Sequence, residues 1–395
     1  MKIGINALFF QYPNVGVGQY MTHLLKALSQ DDTQNEYVLL GPELTDGSPQ
    51  TENVFPYQSQ PMPDFIARRE NIQKVVWEQV TGPAAAHKAG VDVFHVPYFA
   101  PPLFPRTPTV VTIHDVIPLV LPAYQPDARV KMYMSLVARA AHSATMVITV
   151  SQHARQDIID TLKLPEDRVR VIYEAASEEY QPVTDPERLA RVRARYGLNE
   201  RYVLYLGGLD QRKNVPRLIQ AFAQLYGKLG DPNLQLLVVG NPDKQKGPLF
   251  PDPRPVAADL GMTGQIIYRY IEEEDKPAIY SGASVFVSPS LYEGFGLPPL
   301  EAMSCGAPVA CSNRTSLPEV VGDAALTFDP ENVRDMAETM RRILTDDALR
   351  ADLRARSVQR AAQFSWHKAA NETIAVYEET YARSKHVRKT APLSI

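Results

Sequence analysis

The chain has 395 residues with 45% apolar and 22% charged side chains, a mixture that excludes disorder, collagen-like repeats and a coiled coil and gives two or three domains at about 150 residues each. Lys and Arg number 41 against 45 Asp and Glu, for a net charge of −4 and a pI near 6.1, which argues against a generally cationic nucleic-acid binder and leaves any anionic ligand to be met by local groups. Two cysteines, Cys305 and Cys311, are too few for a disulfide framework, and no apolar run reaches the roughly 18 residues that cross a bilayer.

Short β-branched runs alternating with amphipathic helical patterns predict a parallel α/β plan. The first run, Lys2–Leu8, starts directly after Met1 and leaves no room for a secretory leader, so a reducing, cytosolic location is expected. A helix follows with Tyr20, Met21, Leu24, Leu25 and Leu28 on one side. Further strands are predicted at Tyr37–Leu40, Val91–His95, Thr109–Ile113, Met146–Val150 and Val169–Ile172, with Ser151 as a helix N-cap. Pro97–Pro108 reads as an irregular loop. The alternation lapses in Glu174–Pro186, a polar stretch with two prolines, and the domain boundary is placed there, at 180.

A second series has strands at Tyr202–Leu206, Leu234–Val239, Ile266–Tyr268, Val285–Val287, Pro308–Cys311 and Ala325–Phe328, with a second Pro-rich loop at Pro242–Pro255. The acidic run Glu272–Asp275 reads as the start of a solvent-facing helix. From Glu331 the pattern is helical, broken at Phe364, Ser365 and Trp366. The expected domains are therefore 1–180, 181–365, and a terminal helix, 366–395, crossing back onto the first. Residues 1–180 carry 14 basic and 19 acidic side chains and the remainder 27 and 26, making the second half the better anion binder. Two doubly wound domains facing each other would form a cleft at the carboxyl ends of their sheets, where ligands bind in such folds.

The strand Val285–Val287 leads into Glu293, Gly294, Phe295, Gly296 and Leu297 and then a helix with Pro298 and Pro299 in its first turn. The glycines let the backbone turn with its amides toward an anion at the helix start. Glu293 before the turn and Glu301 after it would repel phosphate, so each suits hydroxyl groups on either side of it. A nucleotide sugar, with a ribose on one side of its diphosphate and a transferable sugar on the other, matches that layout. The plainer reading is that Glu301 caps its own helix and Glu293 is a solvated loop acid. Arg212 and Lys213, in the loop after Tyr202–Leu206, would stabilise charge on a departing diphosphate; adjacent cations are otherwise ordinary surface residues. Lys244 and Lys246, after Leu234–Val239, read as solvated.

Gly16 and Gly18 precede the first helix as a small amide nest or as a flexible cap, and the spacing does not match a dinucleotide fingerprint. His114 and Asp115 end a strand and would reach the cleft from the first domain. No third triad member and no metal-ligand spacing accompany them. The C-terminal Arg383–Lys389 is a basic tail suited to anionic lipid, or simply a solvated end.

Glu293 and Glu301, with seven residues between them in Glu-Gly-Phe-Gly-Leu-Pro-Pro-Leu-Glu-Ala, resemble the Glu-x7-Glu signature of the family 4 retaining glycosyltransferases. The resemblance extends to Asn14–Gly18, His114 with Asp115, residues 207–214 and the break at 364–366. It implies the GT-B architecture, two Rossmann-like doubly wound domains around a cleft, with no metal or resident cofactor. It further implies donor-sugar contact by Glu293, ribose contact by Glu301, diphosphate contact by Lys213, and sugar orientation by His114. Many members carry an arginine where Gly208 stands, a departure that bears on the assignment of Arg212. The expected reaction moves a hexose from a nucleotide diphosphate sugar, GDP-mannose first and UDP-glucose second, to an acceptor hydroxyl, as in bacterial mannosyltransferases of polysaccharide assembly. A sugar-nucleotide epimerase, a phosphorylase and a non-catalytic binding module are the alternatives.

Overall fold

The computed structural model describes residues 1–12, 16–43, 54–61, 70–125, 127–243 and 247–390. Two units emerge: Met1–Glu174 together with the C-terminal helix Trp366–Thr390, and Ala175–Ser365. The chain changes unit at Glu174, ahead of the expected boundary at 180, and Tyr180 packs edge-on against Tyr280 of the second unit.

The first unit is built on a seven-stranded sheet in the order β3-β2-β1-β4-β5-β6-β7. Its strands are β1 Lys2–Asn6, β2 Glu36–Gly41, β3 Tyr57–Ser59, β4 Val93–Val96, β5 Thr109–Thr112, β6 Met146–Thr149 and β7 Val169–Val171. Every pairing is parallel; Ile5, for example, lies between Leu39 and His95. Helices cover both faces, so the inner strands are buried along their whole length, as β5 and β6 show. The helix Gly16–Asp31 buries Tyr20, Met21, Leu24, Leu25 and Leu28, the stripe expected from the sequence. Ser151 caps Gln152–Leu162 by accepting from the Ala154 amide. The helix Trp366–Thr390 lies against Gly16–Asp31 and against β4, β5 and β6. Trp366 packs on Tyr20 and His23, and the Tyr377 hydroxyl meets His95 Nδ1 at 2.7 Å.

The second unit has a six-stranded parallel sheet in the order β10-β9-β8-β11-β12-β13. Its strands are β8 Tyr202–Leu206, β9 Gln235–Val239, β10 Ile266–Arg269, β11 Val285–Ser288, β12 Val309–Ser312 and β13 Ala325–Phe328. The order reverses between β8 and β11, which pair directly through Val203 with Val285 and Leu204 with Phe286. Loops leaving the carboxyl ends of that pair diverge and leave a crevice, the position at which open α/β sheets bind ligands. The core beneath it joins Val203, Tyr205, Val285 and Val287 to Leu218, Phe222 and Met340 from the covering helices.

Some expectations are corrected. The short edge strand β3 was not anticipated, because Tyr57–Ser59 is three residues long, two of them exposed, and carries no apolar run. A helix, Arg254–Asp259, begins inside the expected loop Pro242–Pro255, starting from Pro253. The run Glu272–Asp275 does not open a solvent-facing helix: Asp275 is buried, accepting from Arg195 Nη1 at 2.7 Å and Tyr196 Oη at 2.8 Å, and Pro277–Ser281 is buried with it. The terminal helical region is also broken at Asp346, which caps Asp347–Ala361. Among the described residues no helix is long and apolar enough to cross a membrane.

Candidate active site

Residues 207–214 leave β8 and residues 289–296 leave β11, so the two loops emerge side by side. Asn214 ties them together. It holds a left-handed backbone, φ 61°, and its side-chain amide donates to the Pro289 carbonyl at 3.0 Å and the Pro330 carbonyl at 2.8 Å. The Leu291 amide donates to the Arg212 carbonyl at 2.7 Å.

This bracing carries Arg212 and Lys213 to Glu293. Lys213 Nζ donates to Glu293 Oε1 at 2.6 Å, Arg212 Nη1 to Oε2 at 2.7 Å, and Ser290 Oγ to Oε1 at 2.6 Å. Arg212 also reaches the Tyr292 carbonyl at 3.0 Å and Asp210 at 3.1 Å. Glu293 is 9% exposed. Burial by itself would push its carboxyl up, but the Lys213 and Arg212 cations beside it hold it down at about 2. Two cations thus face two carboxylates, Glu293 and Asp210, and the cluster is close to neutral as it stands.

The turn after Glu293 is held from a third loop. Thr315 Oγ1 accepts from the Glu293 amide at 3.0 Å, and Ser316 Oγ donates to the Glu293 and Phe295 carbonyls. Gly296 takes φ 126°, and a Cβ there would sit 2.8 Å from Leu317 Cδ2, so the position requires glycine. Gly294 is buried with it, and Phe295 turns its ring inward, edge-on to Phe364, leaving only backbone at that position for a ligand. Leu297 opens the helix Leu297–Ser304, which carries Pro298 and Pro299 at its start.

Glu301 lies in the second turn of that helix, and it does not cap it. Its Oε2 accepts from the Tyr280 hydroxyl at 2.7 Å. Burial raises its carboxyl above the ordinary value. The two acids are therefore differentiated: one is held ionised by cations, and the other rests on a phenol.

In the first unit, His114 Nδ1 lies 3.0 Å from Glu174 Oε1 and Nε2 lies 3.4 Å from the Pro97 carbonyl. Burial would lower the imidazole, but the Glu174 carboxylate, with Asp115 and the Pro97 carbonyl, raises it above its usual value. Asp115 is otherwise engaged: its Oδ1 accepts from the Ile117 amide at 3.0 Å, starting the turn Ile117–Val120. Gly16 and Gly18 do not precede the first helix; both lie within the first turn of Gly16–Asp31, and Gly18 is buried. Asn14, Lys244 and Lys246 lie outside the described residues. Arg383 is no solvated end, since it is helical and paired with Asp167 and Glu379 at 2.9 Å each.

The structure thus brings Arg212, Lys213 and Glu293 into direct contact and sets Glu301 on the helix that follows. Sequence reasoning missed Ser290, Asn214, Thr315, Ser316, Tyr280 and Glu174. Ser290, three residues from Glu293, and Asn214, next to Lys213, had local signals; the others are brought in from distant segments.

Two family models match: one described as glycosyl transferases group 1 over residues 190–361, the other as glycosyltransferase family 4 over 15–179. The chain is 34% identical to an O-antigen chain mannosyltransferase B of Escherichia coli over 389 residues, covering 96% of this chain and 100% of that protein. It is also 34% identical to an E. coli serotype-specific mannosyltransferase, WbdA, over 67% of this chain and a third of that longer protein. A solved Anabaena structure, HepE in complex with UDP and glucose, aligns over 96% of this chain and 100% of that one with a TM-score of 0.74 at 18% identity, a likeness of fold.

Proposed function

The chain belongs to the family 4 glycosyltransferases of GT-B fold, and from that premise we propose that it transfers mannose from GDP-mannose to a hydroxyl of a growing glycan with retention of anomeric configuration. The observation that carries this reading is the clamp on Glu293, in which Lys213 and Arg212 are held at the switch point of the second sheet against the carboxylates of Glu293 and Asp210.

An incoming diphosphate takes over the two cations, and the displaced Glu293 carboxylate accepts from hydroxyls of the donor sugar. Glu301 accepts from the ribose. As the bond from the anomeric carbon to the phosphate oxygen breaks, negative charge grows beside Lys213 and Arg212, which therefore stabilise the transition state more than the ground state. The acceptor oxygen bonds to the same face of that carbon and its proton passes to the departing diphosphate, so no side-chain nucleophile is needed. The two cations do the work of charge neutralisation, and EDTA is expected to leave the rate unchanged. The mannosyltransferase relatives favour mannose; UDP-glucose is the second donor to test. The reading places the protein in the cytoplasm, with contact between the basic end of Trp366–Thr390 and the inner membrane face to be tested by sedimentation with anionic vesicles.

The deciding experiment incubates the protein with GDP-mannose or UDP-glucose and a mannose-terminated oligosaccharide, following nucleoside diphosphate release and the anomeric configuration by NMR. Release of GDP with an α-linked product is expected. Conversion of donor without acceptor would reassign the protein as an epimerase, dependence on inorganic phosphate as a phosphorylase, and binding without release as a non-catalytic module.

A further inference from the structure

The ring of His114 is held between two groups that only accept hydrogen bonds. Glu174 Oε1 faces Nδ1 at 3.0 Å and the Pro97 carbonyl faces Nε2 at 3.4 Å. Both nitrogens are satisfied as donors only when the ring carries both protons. Tyr20 fixes the ring plane from the side, edge-on at 4.7 Å and 87°. The two contacts are unequal. The one to Glu174 is charge-assisted and of ordinary length, whereas the one to Pro97 is long and weak enough for a substrate oxygen to replace it. Glu174 is 5% exposed and the His114 side chain 20%, so the carboxylate lies behind the ring and out of reach of a ligand.

Resting on the glycosyl-transfer reading, we propose that Glu174 is a positioning residue that holds His114 as an imidazolium, so that Nε2–H donates to an oxygen of the transferred sugar and His114 is not a general base. The groups around the ring agree with that charge. Glu174 and Asp115 are the anions that face it. Burial pushes the Tyr20 hydroxyl well up and pulls His95 down to about 3, so both are neutral. His95 is further engaged by Thr112 at 2.9 Å and Tyr377 at 2.7 Å, and offers His114 no proton.

The test uses the full chain with Glu174→Gln, Glu174→Asp, His114→Ala and the Glu174→Gln/His114→Ala double variant. Imidazole nitrogen NMR reads the His114 titration directly, and transfer assays give kcat and KM across pH. Because the protonated ring is the competent form, kcat falls as pH rises through the His114 midpoint. Glu174→Gln should lower that midpoint by about one unit or more and carry the alkaline limb of kcat down with it. The donor KM should stay within about twofold and kcat at neutral pH fall by roughly tenfold. Glu174→Asp should restore part of the midpoint, and the double variant should be no slower than His114→Ala alone. An unchanged His114 midpoint in Glu174→Gln, or a double variant showing the full product of both single losses, overturns the proposal. A wild type that transfers no sugar would sink the glycosyl-transfer reading, while the NMR titration would still decide the role of Glu174.

Discussion

Replacing Glu293 by Gln removes one negative charge from between Lys213 and Arg212 while keeping the shape of the side chain, and it should move stability and ligand affinity in opposite directions. The wild-type carboxyl sits at about 2, down from its ordinary 4.5, despite burial that would raise it. At about 1.4 kcal/mol per pH unit, that difference makes the ionised clamp worth about 3 kcal/mol to the folded state. The folded value lies below the unfolded one, so this stability is fully present above pH 4.5 and is lost as pH falls toward about 2. Glu293→Gln should therefore lower Tm by roughly 6 to 12 °C at neutral pH and abolish the corresponding loss of stability in acid. GDP, by contrast, no longer has to displace a carboxylate from the two cations. Its affinity for the variant should rise about tenfold, on the order of 1.4 kcal/mol, while transfer falls by roughly 10² or more because the donor-sugar contact is gone. Calorimetric titration with GDP at fixed ionic strength, beside thermal melts from pH 2 to 7, decides the matter. Weaker GDP binding in a variant as stable as wild type would refute the reasoning, since it would mean that Glu293 does not occupy the diphosphate position.

What the sequence disclosed and what it withheld divide along the range of the interactions. Parallel strands covered on both faces announce themselves as apolar runs, and β8, β9, β11 and β12 lie within a residue of where Tyr202–Leu206, Leu234–Val239, Val285–Val287 and Pro308–Cys311 put them. The largely exposed three-residue β3 has no such run and was invisible. At the site, Glu293, Glu301, Arg212 and Lys213 were legible because each follows a strand, where a doubly wound sheet presents its ligands. That Glu293 is clamped by both cations was not, because Lys213 and Glu293 meet across about 80 positions of chain and only the pairing of β8 with β11 makes them neighbours. Glu174 was hidden differently: it stands in a polar stretch that reads as a linker, yet β7 delivers it to His114, 60 positions away. Asp275 looked like a helix-start charge because nothing local reveals that Arg195 and Tyr196 close over it. Net charge was equally uninformative, since the cations of the site come with their own counter-charges.

The remaining expectations concern the groups around that clamp. Lys213→Ala should reduce turnover by roughly 10² to 10³, as for loss of one preorganised charge-stabilising donor; a rate near wild type in the transfer assay would remove Lys213 from the mechanism. Gly296→Ala should cost about 1 to 3 kcal/mol in urea unfolding, because φ 126° is a backbone conformation that residues with a Cβ rarely adopt and the Leu317 side chain, 2.8 Å from that Cβ, would also have to move; an unchanged midpoint would show that the turn can relax. Glu301→Gln tests the ribose assignment. In the structure Glu301 keeps one oxygen on the Tyr280 hydroxyl, which leaves the carboxylate oriented with further acceptor capacity for a ligand. A hydrogen bond from a ribose hydroxyl to a carboxylate is worth about 1.5 to 3 kcal/mol, or roughly 10- to 100-fold in affinity. Wild type should therefore prefer GDP over 2′,3′-dideoxy-GDP by about that factor, and Glu301→Gln should lose most of the preference while kcat at saturating donor stays nearly constant. If the variant discriminates between the two nucleotides as well as wild type does, the hydroxyls are read elsewhere and Glu301 only anchors Tyr280.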